Sequence, residues 1–173
     1  MIMPRSTDQL LLPARPLFIA LTLLSAFALN LLPLGRQPAM PDWLAVVVVF
    51  WGVHQPRRVG IGWAFGFGLL MDVHQGALLG QHALAYALLG FAAISIHRRL
   101  LWFGLAGQAA QVLPLFVAAH GVQLLVRVVA GDAFPGWGLL LAPLLEAALW
   151  LPATLVLLAP QRRAPDPDEN RPL

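Results

Sequence analysis

Long apolar runs alternate with short polar breaks marked by proline, glycine and arginine. Residues 1–16 are polar and interrupted (Pro4, Arg5, Asp8, Pro13, Arg15, Pro16). The run Leu17 to Leu34 follows, long enough to cover about 27 Å as a helix. Arg5, Arg15, this run and Ala26-Phe27-Ala28 share the outline of a cleaved signal peptide. The apolar run continues through Leu29, Leu31 and Leu32, however, and no polar mature start follows. It therefore reads as a retained span. Gly35 to Asp42 is a Pro-punctuated loop.

Two shorter runs come next, Trp43 to Val53 and Val59 to Met71, separated by His54-Gln55-Pro56-Arg57-Arg58. At this length they need bilayer thinning or cover by protein. A re-entrant hairpin would leave Arg57 and Arg58 at depth, which is costly, so two short spans are expected. Trp43 and Trp51 stand near the two ends of the second run, where an aromatic belt would place them. Gly76 to Ile96 is a full-length span closed by His97-Arg98-Arg99. Leu100 to Ala130 is too long for one simple span, and Pro114 interrupts it, predicting a kink or an interfacial first segment. Gly131 to Gly136 is a turn. Trp137 to Ala159 is the last span, with Pro143 and Pro152 inside it.

The pattern thus predicts an all-α polytopic membrane protein, a six-transmembrane-helix bundle over residues 17–159. A cytoplasmic segment (1–16) precedes it and a polar, disordered tail (160–173) follows. Composition agrees: 59% of the 173 residues are apolar and 11% charged, with mean hydropathy +0.74. An ordinary soluble domain is about 25% charged. The net charge of +3 is too small for a nucleic-acid groove. With no cysteine, disulfides, thiolate nucleophiles and Cys-ligated metals are excluded.

All eleven basic residues are arginine, and their placement sets the topology. Six spans put both termini on one side. Arg5, Arg15, Arg57, Arg58, Arg98, Arg99, Arg162, Arg163 and Arg171 fall on that side, and only Arg36 and Arg127 on the other. Both termini are predicted cytoplasmic, with Arg57, Arg58, Arg98 and Arg99 as the main topology determinants.

The third and fourth spans carry a glycine ladder with two small-xxx-small pairs, Gly62/Gly66 and Gly76/Gly80. Glycines four apart lie on one helix face and let a second backbone come close. That backbone belongs either to a neighbouring span or to a partner's helix. Asp72, at the outer end of the third span, is placed to cap the first amides of the fourth, at Gly76 and Ala77. A ligand, proton or partner role is the alternative.

Glu146 is the most costly residue, about 14 Å inside the sixth span, and His120 lies at a similar depth in the fifth. His120, Gln123 and Arg127 form one polar stripe at i, i+3, i+7. Glu146 is expected to face it and pair with His120 or Arg127, as a register-fixing clamp or as a polar pocket or proton relay. His54 and His97 read as interfacial, and His74 and His82 flank the Gly76 turn. No metal-ligand convergence, catalytic serine elbow or cofactor motif is present. A metal site, a cofactor and an enzymatic activity are not expected.

Pro41-Asp42-Trp43, Phe50-Trp51 and Pro56-Arg57-Arg58-Val59 resemble the second-span region of the rod shape-determining protein MreD family. Gly68-Leu69-Leu70-Met71-Asp72, Gly76, Leu79-Gly80 and Ala83-Leu84 resemble that family's central G-x-x-x-D-x-x-x-G-x-x-x-G signature. Leu149-Trp150-Leu151-Pro152 and the arginine-flanked C-terminus fit as well. The resemblance implies a non-enzymatic inner-membrane component of the bacterial elongation (Rod) complex, acting in lateral cell-wall synthesis. Its implied partners are MreC, MreB, RodA and the elongation transpeptidase, with the lipid bilayer and no nucleic acid. It further implies the six-helix architecture of energy-coupling-factor transporter substrate-binding subunits. An outward cavity would then be lined by Asp72, His120, Arg127 and Glu146. A vitamin-like binding subunit of a transporter is the competing function. The surface expected to meet MreC is the glycine-lined third span with its outer turn: Gly62, Gly66, Asp72 and Gly76.

Overall fold

A computed structural model describes residues 14–32 and 39–161. Residues 1–13, 33–38 and 162–173, with Arg5, Arg36, Arg162, Arg163 and Arg171, lie outside the described residues. Six α-helices follow one another: α1 (Pro16–Leu31), α2 (Trp43–His54), α3 (Ile61–Gln75), α4 (Gln81–Leu100), α5 (Leu105–Val129) and α6 (Leu141–Leu158). A 3-10 turn, Trp137–Leu140, leads into α6. No strand occurs among the described residues. By length and apolarity, α5 and the 137–161 segment are the two that could each cross a membrane.

The shortness of α2 is explained by its place at the centre. Leu44 to Val53 are buried except Val47, with α1, α4 and α6 packed around them. A helix of Val, Leu, Phe and Ala on every side satisfies itself only when protein covers it all round. Cover by protein is the resolution of the short second run. Trp51 is consequently no belt residue: it is 0% exposed, and its Nε1 donates to Thr22 Oγ1 of α1 at 2.9 Å. Trp43 is half-buried beside the cavity described below. The outward tryptophans are Trp63, Trp102 and Trp137.

α4 is the second central helix, packed on α2, α3 and α5. Small residues permit this. A Cβ on Gly68 of α3 would lie 2.4 Å from Ala83 Cα, so the α3 and α4 backbones are in direct contact there. Gly90 of α4 faces Ala64 of α3, and Gly52 of α2 faces Ala93 of α4. Gly62 and Gly66 take no part in this packing: a Cβ on either meets nothing within 4 Å. Neither pair marked by spacing, Gly62/Gly66 or Gly76/Gly80, joins these helices; Gly68 does. Spacing marks one face but does not say which face is turned inward.

The Leu100 to Ala130 run divides before α5, not at Pro114. Leu101, Trp102 and Phe103 form an exposed turn, with Trp102 90% exposed, and α5 then runs unbroken through Pro114. Gln108 Nε2 donates to the Phe103 carbonyl, and Trp150 Nε1 of α6 donates to Gln108 Oε1. Successive helices run up and down. Arg57, Arg58, Arg98 and Arg99 therefore share one end of the bundle, where Arg58 also donates to the Ala14 carbonyl. The opposite end gathers the α1, α3 and α5 C-termini with the α2, α4 and α6 N-termini.

A buried polar network and a cavity at one end of the bundle

Three backbone decisions build this end. α3 stops at Gly76, whose φ of +62° lets the chain leave the helix, with the Ala77 amide donating to the Asp72 carbonyl oxygen. Gly80, at φ +104°, then sets the start of α4. α2 begins at the N-cap Asp42, whose Oδ1 accepts from the Ala45 amide at 3.0 Å. Exposed amides at a helix N-terminus demand an acceptor, and in an apolar surround only a side chain can supply it.

Asp72 supplies it for α4. It is buried, and its carboxylate accepts from the Gly80 and His82 amides, both at 2.7 Å, and from the Ala83 amide at 3.4 Å. His82 Nδ1 completes the set at 2.8 Å. The expected acceptor role holds, but the amides are those of 80, 82 and 83 and not those of Gly76 and Ala77. The helix starts five residues later than the apolar run because Gly76 and Gly80 are spent on the turn.

Asp42 organises the second cluster. Asn30 of α1 donates to Asp42 Oδ1 at 2.7 Å and accepts from the Trp43 amide at 3.1 Å. The Tyr86 hydroxyl of α4 donates to Asp42 Oδ2. The Asp42 amide donates to Glu146 Oε1 of α6 at 3.0 Å, and His120 Nε2 of α5 meets the same oxygen at 2.9 Å. Five helices thus converge on one α2 N-terminus. Glu146 faces His120, as the stripe suggested, while Gln123 and Arg127 stand off from it. Glu146 Oε2 and His120 Nδ1 are buried without a partner among the described residues.

Above this layer lies a cavity of about 680 Å³. His120, Gln123 and Arg127 line it from α5, and Asn30, Asp42, Gln81 and His82 from the other helix ends. Asp72 and Glu146 do not line it. They lie behind His82 and His120, which they hold in place. Gly76 is on its rim, whereas Gly62 and Gly66 are remote from it on α3. Asn30, Asp42, Tyr86 and His82 were not singled out as site residues from sequence. A signal was present for two of them: Asp42 directly precedes an apolar helix as an N-cap, and Tyr86 is the one tyrosine of the chain. Among the described residues no group of three or more His, Asp or Glu could hold a metal ion.

An all-helical bundle with large apolar side chains on its outside and its polar bonds gathered inside one end is consistent with a membrane protein. The chain belongs to the MreD family: residues 11–158 match the family described as rod shape-determining protein MreD. It is also 31% identical over 144 residues to the rod shape-determining protein MreD of Haemophilus influenzae, covering 80% of this chain and 86% of that protein. No solved structure matches the chain. Membership assigns a role in rod shape determination, and the family is one of shape determination, not of catalysis.

Proposed function

We propose that the protein is a non-enzymatic, six-span component of the inner-membrane elongation complex that binds MreC and, through it, MreB, RodA and the elongation transpeptidase. Both termini lie in the cytoplasm in this reading, with Arg57, Arg58, Arg98 and Arg99 on the cytoplasmic face. Placement of these four at one end of the bundle supports that orientation. The six-helix order and the cavity at the opposite end support kinship with energy-coupling-factor substrate-binding subunits, without a transport role.

The observation that carries the partner assignment is the unfilled glycine face of α3. Gly62 and Gly66 meet nothing within 4 Å, while exposed Trp63 and Phe65 flank them. In lipid, helices associate through close backbone packing, and a shallow glycine face between aromatic ridges fits one further transmembrane helix. Gly76 extends this surface at the outer turn. Asp72 contributes from within by fixing that turn, since its carboxylate is consumed inside the chain. Gly66→Leu fills the face without touching a neighbour, so the variant is expected to fold and to lose co-purification with MreC from native membranes. Full retention of MreC by a folded Gly66→Leu protein would overturn the assignment.

A further inference from the structure

We infer that the cavity receives the zwitterionic headgroup of an aminophospholipid. Its volume of about 680 Å³ suits a headgroup and the first methylenes, not a whole lipid. The charges available in it decide the chemistry. Asp42 already accepts three hydrogen bonds, from Asn30, the Ala45 amide and Tyr86. His82 and His120 are each engaged by a carboxylate. Arg127 and Asp132 also line the cavity, and neither side chain has a hydrogen bond or ion pair among the described residues. They stand five residues apart across the turn that ends α5, a cation and an anion without a partner among the described residues. A purely anionic ligand would meet Arg127 but also Asp132, with Asp42 and Glu146 behind. A cation would meet Arg127. A ligand carrying both charges meets each with its complement: phosphate on Arg127 and the neighbouring Gln123 amide, ammonium on Asp132.

The apolar side of the cavity specifies an amphiphile. Leu29, Leu31 and Leu32 line it and are also exposed to the outside of the bundle. From Leu31 the exposed face of α1 continues through Leu24, Leu21 and Leu17, which share one side at helical spacing. That face is about 21 Å long at 1.5 Å per residue, against about 15 Å for one leaflet of a ~30 Å hydrocarbon core. An acyl chain leaving the cavity has an apolar track for its whole depth.

This inference rests on the membrane reading above but not on the partner face. The test uses the full-length protein in nanodiscs of phosphatidylethanolamine and phosphatidylglycerol at equal mole fraction, with retained lipid read by native mass spectrometry after detergent stripping. Phosphatidylethanolamine is expected to be retained preferentially. Arg127→Gln and Asp132→Asn are each expected to lower that retention about fivefold, the scale of a half-exposed ion pair. Arg127 is half-buried and Asp132 exposed, and melting temperature in the same discs checks that the variants fold. Equal retention of the two lipids, or retention unchanged in both variants, overturns the inference. Competition by soluble glycerophosphoethanolamine as effective as the lipid itself overturns the amphiphile and assigns the site to a free zwitterion. Failure to insert into nanodiscs removes both lipids and overturns the membrane reading instead.

Discussion

Replacing Asp72 by alanine removes, at one stroke, the acceptor of the first amides of α4. Three of its four donors sit at 2.7–2.8 Å: the Gly80 amide, the His82 amide and His82 Nδ1. His82 and Ala83 are buried, so bulk water does not replace the lost oxygens at their amides. Loss of an N-cap alone costs about 1 kcal/mol, and each buried donor left without a partner adds about 1–3 kcal/mol. With the two short His82 bonds counted at about 1–2 kcal/mol each, the total is on the order of 3–5 kcal/mol, the range found when one member of a buried pair is deleted. At about 2–4 °C per kcal/mol for a chain of this size, Tm should fall by roughly 6–20 °C. Asp72→Asn keeps one acceptor oxygen but turns an NH2 toward another donor, so its loss should be about half as large. The assay is thermal melting in detergent micelles, paired with hydrogen exchange at the amides of residues 80–83. Those amides should lose protection before the rest of α4. A Asp72→Ala protein that melts with the wild type and protects these amides equally would refute the capping argument.

The two glycine classes should respond oppositely. Gly68→Ala drives a methyl into the Ala83 backbone and is expected to cost about 1–3 kcal/mol in the same melting assay. Gly62→Ala meets open space and should gain up to about 1 kcal/mol from helix propensity. Glu146→Leu leaves the Asp42 amide and His120 without their acceptor and should cost about 2–4 kcal/mol. Glu146→Gln retains an acceptor oxygen and should cost less than half of that. Equal melting of the Leu and Gln variants would show that the shared oxygen does not hold the helices together.

Much of this molecule is legible along the chain. The six apolar runs correspond to six helices, and the depth arithmetic brings Glu146 to His120 because consecutive helices are antiparallel. The Asp72 cap was legible in kind but not in register. Its true partners depend on two left-handed glycines, at 76 and 80, and on how many residues the turn consumes. Trp51 was not legible as a core residue. A tryptophan near the end of an apolar run looks the same in sequence whether it meets headgroups or a Thr22 hydroxyl across the interface.

Run length, charge placement and helix count are local properties, so the residues alone determine that the chain is a bundle of six apolar helices with an arginine-rich end. Facing is not local here. α2 is apolar on every side, and α3 has glycines on more than one, so no periodicity tells inward from outward. Packing settled it by bringing Gly68 against Ala83, leaving Gly62 and Gly66 uncovered. The same assembly collected Asn30, Asp42, Tyr86, His120 and Glu146 from five helices around one N-terminus. In an interior without water, a backbone donor must find its acceptor on another helix. The partners of Asp42 and Asp72 are therefore a property of the assembled bundle, and so is the cavity above them.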